Sequence, residues 1–247
     1  MKLEIVAVGA QGAAVAAEEG ADRIELCSAL ELGGLTPSQG LMDAAQETVA
    51  GRLEIHPLIR SRPGDFLYSS ADLDTMNREI RFLLTQGAHG VVIGVLTAAG
   101  EIDVQATRKL ADAALETNPD AQLTFHRAID QTREPATAVE QLVELGFTRV
   151  LSSGGAATVG AGITTLGRMA QRAAGRLEVM AGGGLALDDI PALRTAGLSA
   201  VHLSARSTVS ARKNRDNSPK PADSSPDPTA YMVTDRDLVR AARAAVR

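Results

Sequence analysis

The chain is poor in the residues that build aromatic or disulfide-linked cores. It has no tryptophan, its aromatic residues amount to 2%, and Cys27 is its single cysteine. One thiol excludes an internal disulfide, and without a CxxC partner it gives no sign of an oxidising compartment. The core must therefore consist of alanine, valine, leucine and isoleucine, which suits parallel strands covered by alanine-rich helices.

Two further absences bear on the partners of the protein. No segment combines a basic stripe with stacking aromatics, and the net charge is −5, so nucleic acid is not an expected partner. No run of about 18 apolar residues is present, so no membrane span is expected. Residues 5–17 are apolar, but Glu4 precedes them and Gln11 interrupts them. This favours a strand, turn and helix over a signal peptide, and we expect a cytoplasmic protein.

Short apolar runs alternate eight times with helix-period segments. Eight βα units in 247 residues predict a single-domain α/β protein, a (β/α)8 TIM-type barrel. An open doubly wound sheet is the alternative, but its GxGxxG after the first strand is absent. The predicted strands are 3–8, 23–27, 53–59, 91–96, 122–127, 149–152, 177–181 and 200–204. The predicted helices are 12–19, 38–49, 70–86, 104–116, 135–145, 163–174, 187–195 and 235–246.

One segment interrupts this alternation. Residues 1–206 hold the eight strands and seven helices, and 230–247 hold the C-terminal helix. Between them, 207–229 carry four prolines among serine, aspartate, asparagine and lysine, with almost nothing to bury, which predicts a disordered excursion. Because it follows the eighth strand, it is either a lid over the catalytic end or a solvated insertion without a role.

The apolar phase of each strand divides its side chains between the surrounding helices and the barrel interior. The inward set is polar, so it must form one hydrogen-bonded network or meet a bound ion. Glu4 lies early in its strand, and a buried structural pair explains it at least as well as chemistry does. The predicted inward residues are Glu4, Glu25, Cys27, His56, Arg60, Thr124, His126, His202 and Ser204.

Candidate catalytic groups follow the ends of the predicted strands. His126, Arg127 and Asp130 follow the fifth strand, where a histidine can transfer a proton and an arginine can bind an anion. We predict that His126 moves a proton, supported by Asp130 or Glu25. The glycines after the seventh strand suit backbone binding of phosphate, although tight turns explain them equally well. The predicted anion-binding residues are Arg60, Arg62, Arg127, Gly182, Gly183, Gly184 and Ser204.

Six motifs succeed one another along the chain. They are ADRIELC at 21–27, GGLTPS at 33–38, IRSRPGDF at 59–66, TFHRAID at 124–130, AGGG at 181–184 and HLSAR at 202–206. In this order they resemble the CutC copper homeostasis family. The resemblance implies a cytoplasmic TIM-type barrel, usually a homo-oligomer, associated with copper handling and in some members with binding of cuprous ion. It places in the family's pocket Glu25, Cys27, Arg60, Arg62, Asp65, His126, Arg127, Asp130, His202 and Ser204.

The chain departs from the family pattern in two places. The first strand commonly ends in an acidic residue, but here it ends in the stretch Ala7-Val8-Gly9-Ala10. Paired thiols cannot bind copper within one subunit, because Cys27 is the single cysteine and soft thiolates are what select Cu(I).

Three hypotheses for the interior remain open at this point. In the first, a copper ion is held by Cys27 with His126 or His202. In the second, the protein is an enzyme that acts on a small anionic molecule, phosphate or carboxylate, by acid–base chemistry. In the third, the interior is an inert polar network. No organic cofactor is implied, and the sequence leaves open whether the protein is an enzyme.

Overall fold

A computed structural model describes residues 1–210 and 229–247. Eight parallel strands pair in the order 3-2-1-8-7-6-5-4 along the chain. A bridge between Leu58 and Val92 joins the third strand to the fourth, and the Ile59 N–H donates to the Val92 carbonyl at 2.8 Å. The predicted single-domain (β/α)8 barrel is therefore confirmed. The strands are β1 (Lys2–Ala7), β2 (Arg23–Leu26), β3 (Glu54–Pro57), β4 (Gly90–Ile93), β5 (Gln122–Phe125), β6 (Arg149–Ser152), β7 (Glu178–Gly182) and β8 (Ala200–Leu203).

Helices alternate with these strands, and a polar side chain just before the first residue sets where several of the helices begin. The Ser38, Asp103 and Asp235 side chains each accept a hydrogen bond from a backbone N–H in the first turn of the following helix. No helix in the described ranges is long and apolar enough to cross a membrane. The helices are α1 (Ala10–Glu18), α2 (Gln39–Val49), α3 (Ser70–Thr85), α4 (Val104–Thr117), α5 (Pro135–Glu144), α6 (Val159–Ala173), α7 (Ile190–Thr195) and α8 (Arg236–Val246).

Helix α6 begins four residues earlier than predicted. The predicted helix started at residue 163, whereas the structure starts it at Val159, with the Thr158 hydroxyl accepting from the Ala161 N–H. The first turn that the prediction left out contains Gly160 and Gly162. A Cβ at Gly162 would lie 1.8 Å from the Ser153 carbonyl oxygen, so glycine is needed for close packing rather than for a turn.

The predicted disordered excursion begins too early. Strand β9 (Arg206–Ser210) pairs antiparallel with β10 (Ala230–Thr234), and Val209 lies opposite Tyr231. The prediction of disorder is therefore wrong for 207–210, where β-branched residues have partners in β10 that lie far along the chain. The rest of that segment, 211–228, lies outside the described residues.

The side chains of the barrel strands divide between two faces as predicted. Leu3 and Ile5 of β1 belong to the main core, which lies between the strands and the helices. Val6 of the same strand belongs instead to a separate cluster with Cys27, Leu58 and Val92. Because neighbours on one strand enter different clusters, the second cluster lies inside the barrel, together with the buried polar residues.

Candidate functional site

A cavity of about 630 Å³ opens at the carboxyl ends of the strands. The prediction of a polar barrel mouth correctly placed eight of its lining residues, which are Glu25, Arg60, His126, Arg127, Gly183, Gly184, His202 and Ser204. Sequence reasoning assigned no role to other residues that line it, including Leu30, Phe66, Arg206 and Leu238. Arg206 carries no signal in the sequence, because β8 ends at Leu203 and the positive φ of 39° at Ala205 interrupts strand alternation before β9 begins at Arg206.

Below the cavity, the barrel interior is bridged by ion pairs. The Arg23 guanidinium donates to Glu4 at 2.6 Å and to Glu178 at 2.8 Å. Arg149 also donates to Glu178, and it donates to the Thr124 hydroxyl at 2.9 Å. Removing one partner of such a buried pair costs about 3–5 kcal/mol, because an uncompensated charge stays behind. Glu4 is thus part of a structural network, as the alternative interpretation of its position predicted.

His202 connects this network to the mouth. Its Nδ1 lies 2.7 Å from the Glu4 carboxylate, because β1 and β8 place the two residues side by side. Burial opposes the charges of both groups, but their hydrogen bond and the nearby Arg23 lower the pKa of Glu4 well below its usual range. Glu4 and Glu25 likewise raise the pKa of His202 against its burial. Both shifts favour the charged forms of this pair, an ionised carboxylate beside a protonated imidazole.

Glu25 is the carboxylate that lines the mouth in the described part of the chain. No hydrogen-bond donor contacts its carboxyl group within residues 1–210 and 229–247. Burial raises its pKa to about 7, and the Glu4 carboxylate adds to this against the opposing charge of His202. A carboxyl group with this pKa exists in both protonation states near neutral pH, which suits a general acid or base.

His126 is held as a neutral hydrogen-bond donor. Its Nδ1 accepts from the Ala128 N–H at 3.1 Å, so the remaining proton of the neutral ring is on Nε2. Burial, together with the charge of Arg60, lowers the pKa of His126 to about 3. The side chain is almost completely buried, and Nε2 has no acceptor among the described residues. The prediction that His126 moves a proton is therefore revised, because the ring is not basic enough.

A glycine missed by sequence reasoning makes room for this ring. A Cβ at Gly94 would lie 2.3 Å from Cε1 of His126, which no ordinary side chain could tolerate. The opposite side is covered by Phe66, whose ring centroid lies 4.7 Å from that of His126.

Arg60 brings a positive charge that no carboxylate balances directly. Its guanidinium donates to the carbonyl oxygens of Leu32, Gly34 and Gly64 at 2.7–3.0 Å, and its Nε lies buried without an acceptor among the described residues. It also stacks over Phe66, 5.2 Å from the ring centroid. These contacts fix the side chain at the mouth but leave its charge available to a ligand.

Asp130 fixes Arg127 and does not touch His126. Its carboxylate accepts from Arg127 Nε at 2.9 Å, from the Ser152 hydroxyl and from the Gly155 N–H. Ser153 contributes its N–H and hydroxyl to the same carboxylate and accepts from Arg127 Nη2 at 3.1 Å. With its oxygens already bonded, Asp130 orients an arginine and is not a catalytic base, so its predicted support of His126 is wrong.

Three other predicted site residues do not line the cavity. Arg62 pairs with Asp65 at 2.8 Å and donates to the carbonyls of Pro63 and Leu67, which stabilises its own loop. Gly182 lies within β7, where a Cβ would meet Leu151 at 2.6 Å, so it serves packing. Asp65, carried over from the family pattern, binds Arg62 in the same loop.

The predicted copper ligands are not gathered into one site. Cys27 is fully buried among Val6, Leu58 and Val92, and burial raises the pKa of its thiol far above the usual range. A buried neutral thiol is a small hydrophobe rather than a ligand. Within residues 1–210 and 229–247, Glu4, Glu25 and His202 are the one group of three residues whose ligand atoms lie within 4.8 Å of one another.

A second cavity, of about 510 Å³, lies at the amino ends of the strands. Most of its charges are paired with each other, Lys2 with Asp22 at 3.0 Å and Arg23 and Arg149 with Glu178, while Arg52 donates to the backbone carbonyls of Thr48 and Val49. His89 lies there, away from the mouth. Among the described residues, the unpartnered Arg60 Nε and His126 Nε2 belong to side chains that line the mouth, the end where barrel enzymes keep their chemistry. His56 and Thr107 also have buried polar atoms without a hydrogen bond among these residues, but they do not line the mouth.

Comparisons with known proteins agree with the motifs. The CutC family model matches residues 1–207. A CutC family protein of Chromobacterium violaceum is 43% identical over 249 residues, 99% of this chain and 97% of that protein. One of Vibrio vulnificus is 45% identical over 194 residues, 78% of this chain and 76% of that protein. The crystal structure of CutC from Streptococcus agalactiae, named for copper homeostasis, has a TM-score of 0.75 at 27% identity, over 83% of this chain and 98% of that one. The chain therefore belongs to the CutC family.

Proposed function

We propose that the barrel mouth binds a small anionic metabolite and that Glu25 transfers a proton to or from it. The observation that carries the proposal is the excess of donors over acceptors in the cavity. Arg60 and Arg127 supply two guanidinium groups, His126 supplies an Nε2–H without an acceptor among the described residues, and the raised pKa of His202 favours its protonated form. Buried donors without partners cost stability, so an anionic ligand that accepts from them is the natural complement.

Glu25 provides the chemistry of this proposal. Its pKa of about 7 makes it a base and an acid at neutral pH, and it lines the same cavity as the donors. The neutral His126 supplies a hydrogen bond rather than a proton, which stabilises negative charge that develops on a substrate oxygen. The two residues thus divide the roles of proton transfer and charge stabilisation.

A thermal-shift screen of carboxylates and phosphates at matched ionic strength tests the binding part. At a hundredfold excess over Kd, a ligand stabilises the folded state by about 2.7 kcal/mol, which raises Tm by roughly 5–10 °C. Arg127→Gln should remove most of this rise. Arg78→Gln is the matched control, since Arg78 is 79% exposed on α3 and pairs only with Asp74. An equal rise in all three proteins would place the anion elsewhere.

Proton transfer is tested separately with the anions that bind. Exchange of a carbon-bound ligand proton in D2O, followed by NMR, should occur with the parent protein and be lost in Glu25→Gln, while binding remains. Exchange at the parental rate in Glu25→Gln would contradict the role of Glu25.

A second candidate function, copper handling, is supported by one specific observation. Glu4, Glu25 and His202 offer three ligand atoms close together, and the Streptococcus agalactiae relative is named for copper homeostasis. Imidazole and carboxylate ligands without a thiolate favour Cu(II) over Cu(I). Against it, Glu4 is already bonded to Arg23 and His202.

Competition against a chromophoric copper chelator tests this candidate. The proposed ligand set predicts weaker Cu(II) binding in His202→Gln and parental binding in both Cys27→Ser and the control His89→Gln, which lies at the opposite end of the barrel. A loss of affinity confined to Cys27→Ser would instead restore the thiol as a ligand.

A further inference from the structure

The corner of the mouth formed by the loops after β7 and β8 has a row of backbone amides without acceptors. Gly183 and Gly184 follow β7, Ser204 and Ala205 follow β8, and all four line the cavity. Within residues 1–210 and 229–247, none of their four N–H groups donates to a backbone or side-chain acceptor, and the Ser204 hydroxyl has no partner either. Ala205 is buried, Gly183 and Ser204 are half-buried and Gly184 is exposed, so these amides are accessible from the cavity and can donate to a bound anion.

Arg127 adds a guanidinium to the same corner. A Cβ at Gly183 would lie 2.6 Å from Cζ and 2.8 Å from Nη1 of Arg127, so the guanidinium packs directly against this backbone. Asp130 and Ser153 hold its Nε and Nη2, which leaves Nη1 with no acceptor among the described residues. The side chain is 45% exposed. Arg127 is thus oriented in advance, with one nitrogen free beside the unpartnered amides.

We propose that this corner is a subsite for the phosphate group of a phosphate monoester, held by the amides of Gly183, Gly184, Ser204 and Ala205, by the Ser204 hydroxyl and by Nη1 of Arg127. The inference rests on the proposed anion-binding function and narrows its substrate class. Three terminal oxygens can accept from five or six donors, whereas a carboxylate has only two oxygens. Backbone N–H groups that converge on one point, together with one fixed arginine, form a concave anion-binding site of the kind found in phosphate-binding loops.

The position of the corner also fits a monoester rather than free phosphate. Glu25 and the Nε2–H of His126 line the same 630 Å³ cavity but belong to β2 and to the segment after β5. A phosphate on the loops after β7 and β8 would leave the remainder of the molecule in the space between these two groups. The phosphate would supply binding, and the organic part would meet the proton-transfer group.

Titration calorimetry with inorganic phosphate, methyl phosphate and acetate tests the subsite. Gly183→Ala places a methyl group against the Arg127 guanidinium and strains a backbone with φ of 103°, so it should weaken binding of both phosphates at least tenfold. Gly175→Ala is the matched control: φ is 76° there, and no atom lies within 4 Å of the added Cβ. It carries the same kind of backbone strain without touching the corner.

Ser204→Ala provides a second variant that does not strain the backbone, and it should weaken phosphate binding severalfold without changing Tm. The inference stands if both phosphates bind and Gly183→Ala and Ser204→Ala lose affinity while Gly175→Ala does not. It is overturned if acetate binds through Arg127 but neither phosphate does, which would leave the anion-binding function intact. Binding of no anion would overturn both, and phosphate affinity unchanged in Gly183→Ala and Ser204→Ala would overturn the subsite alone.

Discussion

Burial acts in opposite directions on the two titratable side chains that define the mouth. It raises the pKa of Glu25 to about 7 and lowers the pKa of His126 to about 3, so both are held in their neutral forms more readily than in water. The sequence placed both residues correctly at the mouth. It assigned their roles incorrectly, because protonation depends on burial and on neighbours such as Arg60 and Glu4 that only the folded barrel brings close.

Glu25→Gln should stabilise the protein at high pH. Because the folded-state pKa of Glu25 lies above the unfolded value of 4.5, the contribution of this residue to stability is fully present below pH 4.5. That contribution is lost as pH rises through about 7. The rise in pKa corresponds to roughly 3 kcal/mol, so the variant should gain about 1–3 kcal/mol at pH 8 and nothing at pH 4.5. Urea denaturation of the parent and the variant at pH 8 and at pH 4.5 measures the difference in their free energies of unfolding. A variant less stable than the parent at pH 8 would show that the carboxylate is stabilised by partners.

His126 should remain neutral through the physiological range. Long-range ¹⁵N NMR of histidine-labelled protein should show one ring with its proton on Nε2 down to about pH 3. Its lowered pKa contributes stability that is present above the unfolded pKa of 6.5 and is lost as pH falls towards 3. Titration of His126 near pH 6.5 would refute this assignment.

Helix α6 shows which features of an element the sequence can and cannot reveal. Its existence and its end near residue 174 followed from periodicity, but its first turn did not, because Gly160 and Gly162 have the composition of a loop. The need for Gly162 arises from contact with the Ser153 carbonyl, a tertiary feature. The β9–β10 hairpin was missed for the same reason, since pairing of Val209 with Tyr231 is invisible in either segment alone.

Two glycine substitutions in α6 separate packing from helix propensity. Gly162→Ala should destabilise the protein by about 1–3 kcal/mol, because its Cβ would lie 1.8 Å from a backbone oxygen. Gly167→Ala meets only ordinary contacts at 3.5 Å or more and should gain about 0.5–1 kcal/mol through helix propensity. Chemical denaturation of both variants measures these changes in the free energy of unfolding. If Gly162→Ala were more stable than the parent, α6 would have to move away from the loop after β6.

The barrel as a whole is held by a charged interior. Arg23 connects Glu4 with Glu178, and removing it would take one buried cation from both carboxylates, leaving Glu4 paired with His202 and Glu178 paired with Arg149. Arg23→Gln should therefore destabilise the protein by about 3–5 kcal/mol, a large part of the 5–15 kcal/mol typical of a domain. Arg81→Gln is the control, since its half-exposed pair with Glu116 contributes less than about 1 kcal/mol. Equal losses in both variants would contradict the structural role of the network.

At the scale of the whole molecule, the sequence predicted the barrel and its polar interior but not which interior side chains pair with each other. The strand phases turned Glu4, Glu25 and His202 inward, yet β1 meets β8 only when the barrel closes, so the bond between Glu4 and His202 could not be derived. The donors to Asp130 were likewise unpredictable, because Ser152, Ser153 and Gly155 belong to the following strand and loop.

The central claim is that the mouth binds an anion through Arg127 and the neighbouring donors. Diffraction at the selenium edge from crystals soaked in sodium selenate tests it most directly, since selenate is a tetrahedral dianion with an anomalous signal. The account predicts an anomalous peak within hydrogen-bonding distance of Arg127 Nη1 and the Gly183 amide, and its loss in Arg127→Gln crystals. Selenate peaks at exposed arginines such as Arg78, with none in the mouth, would contradict it.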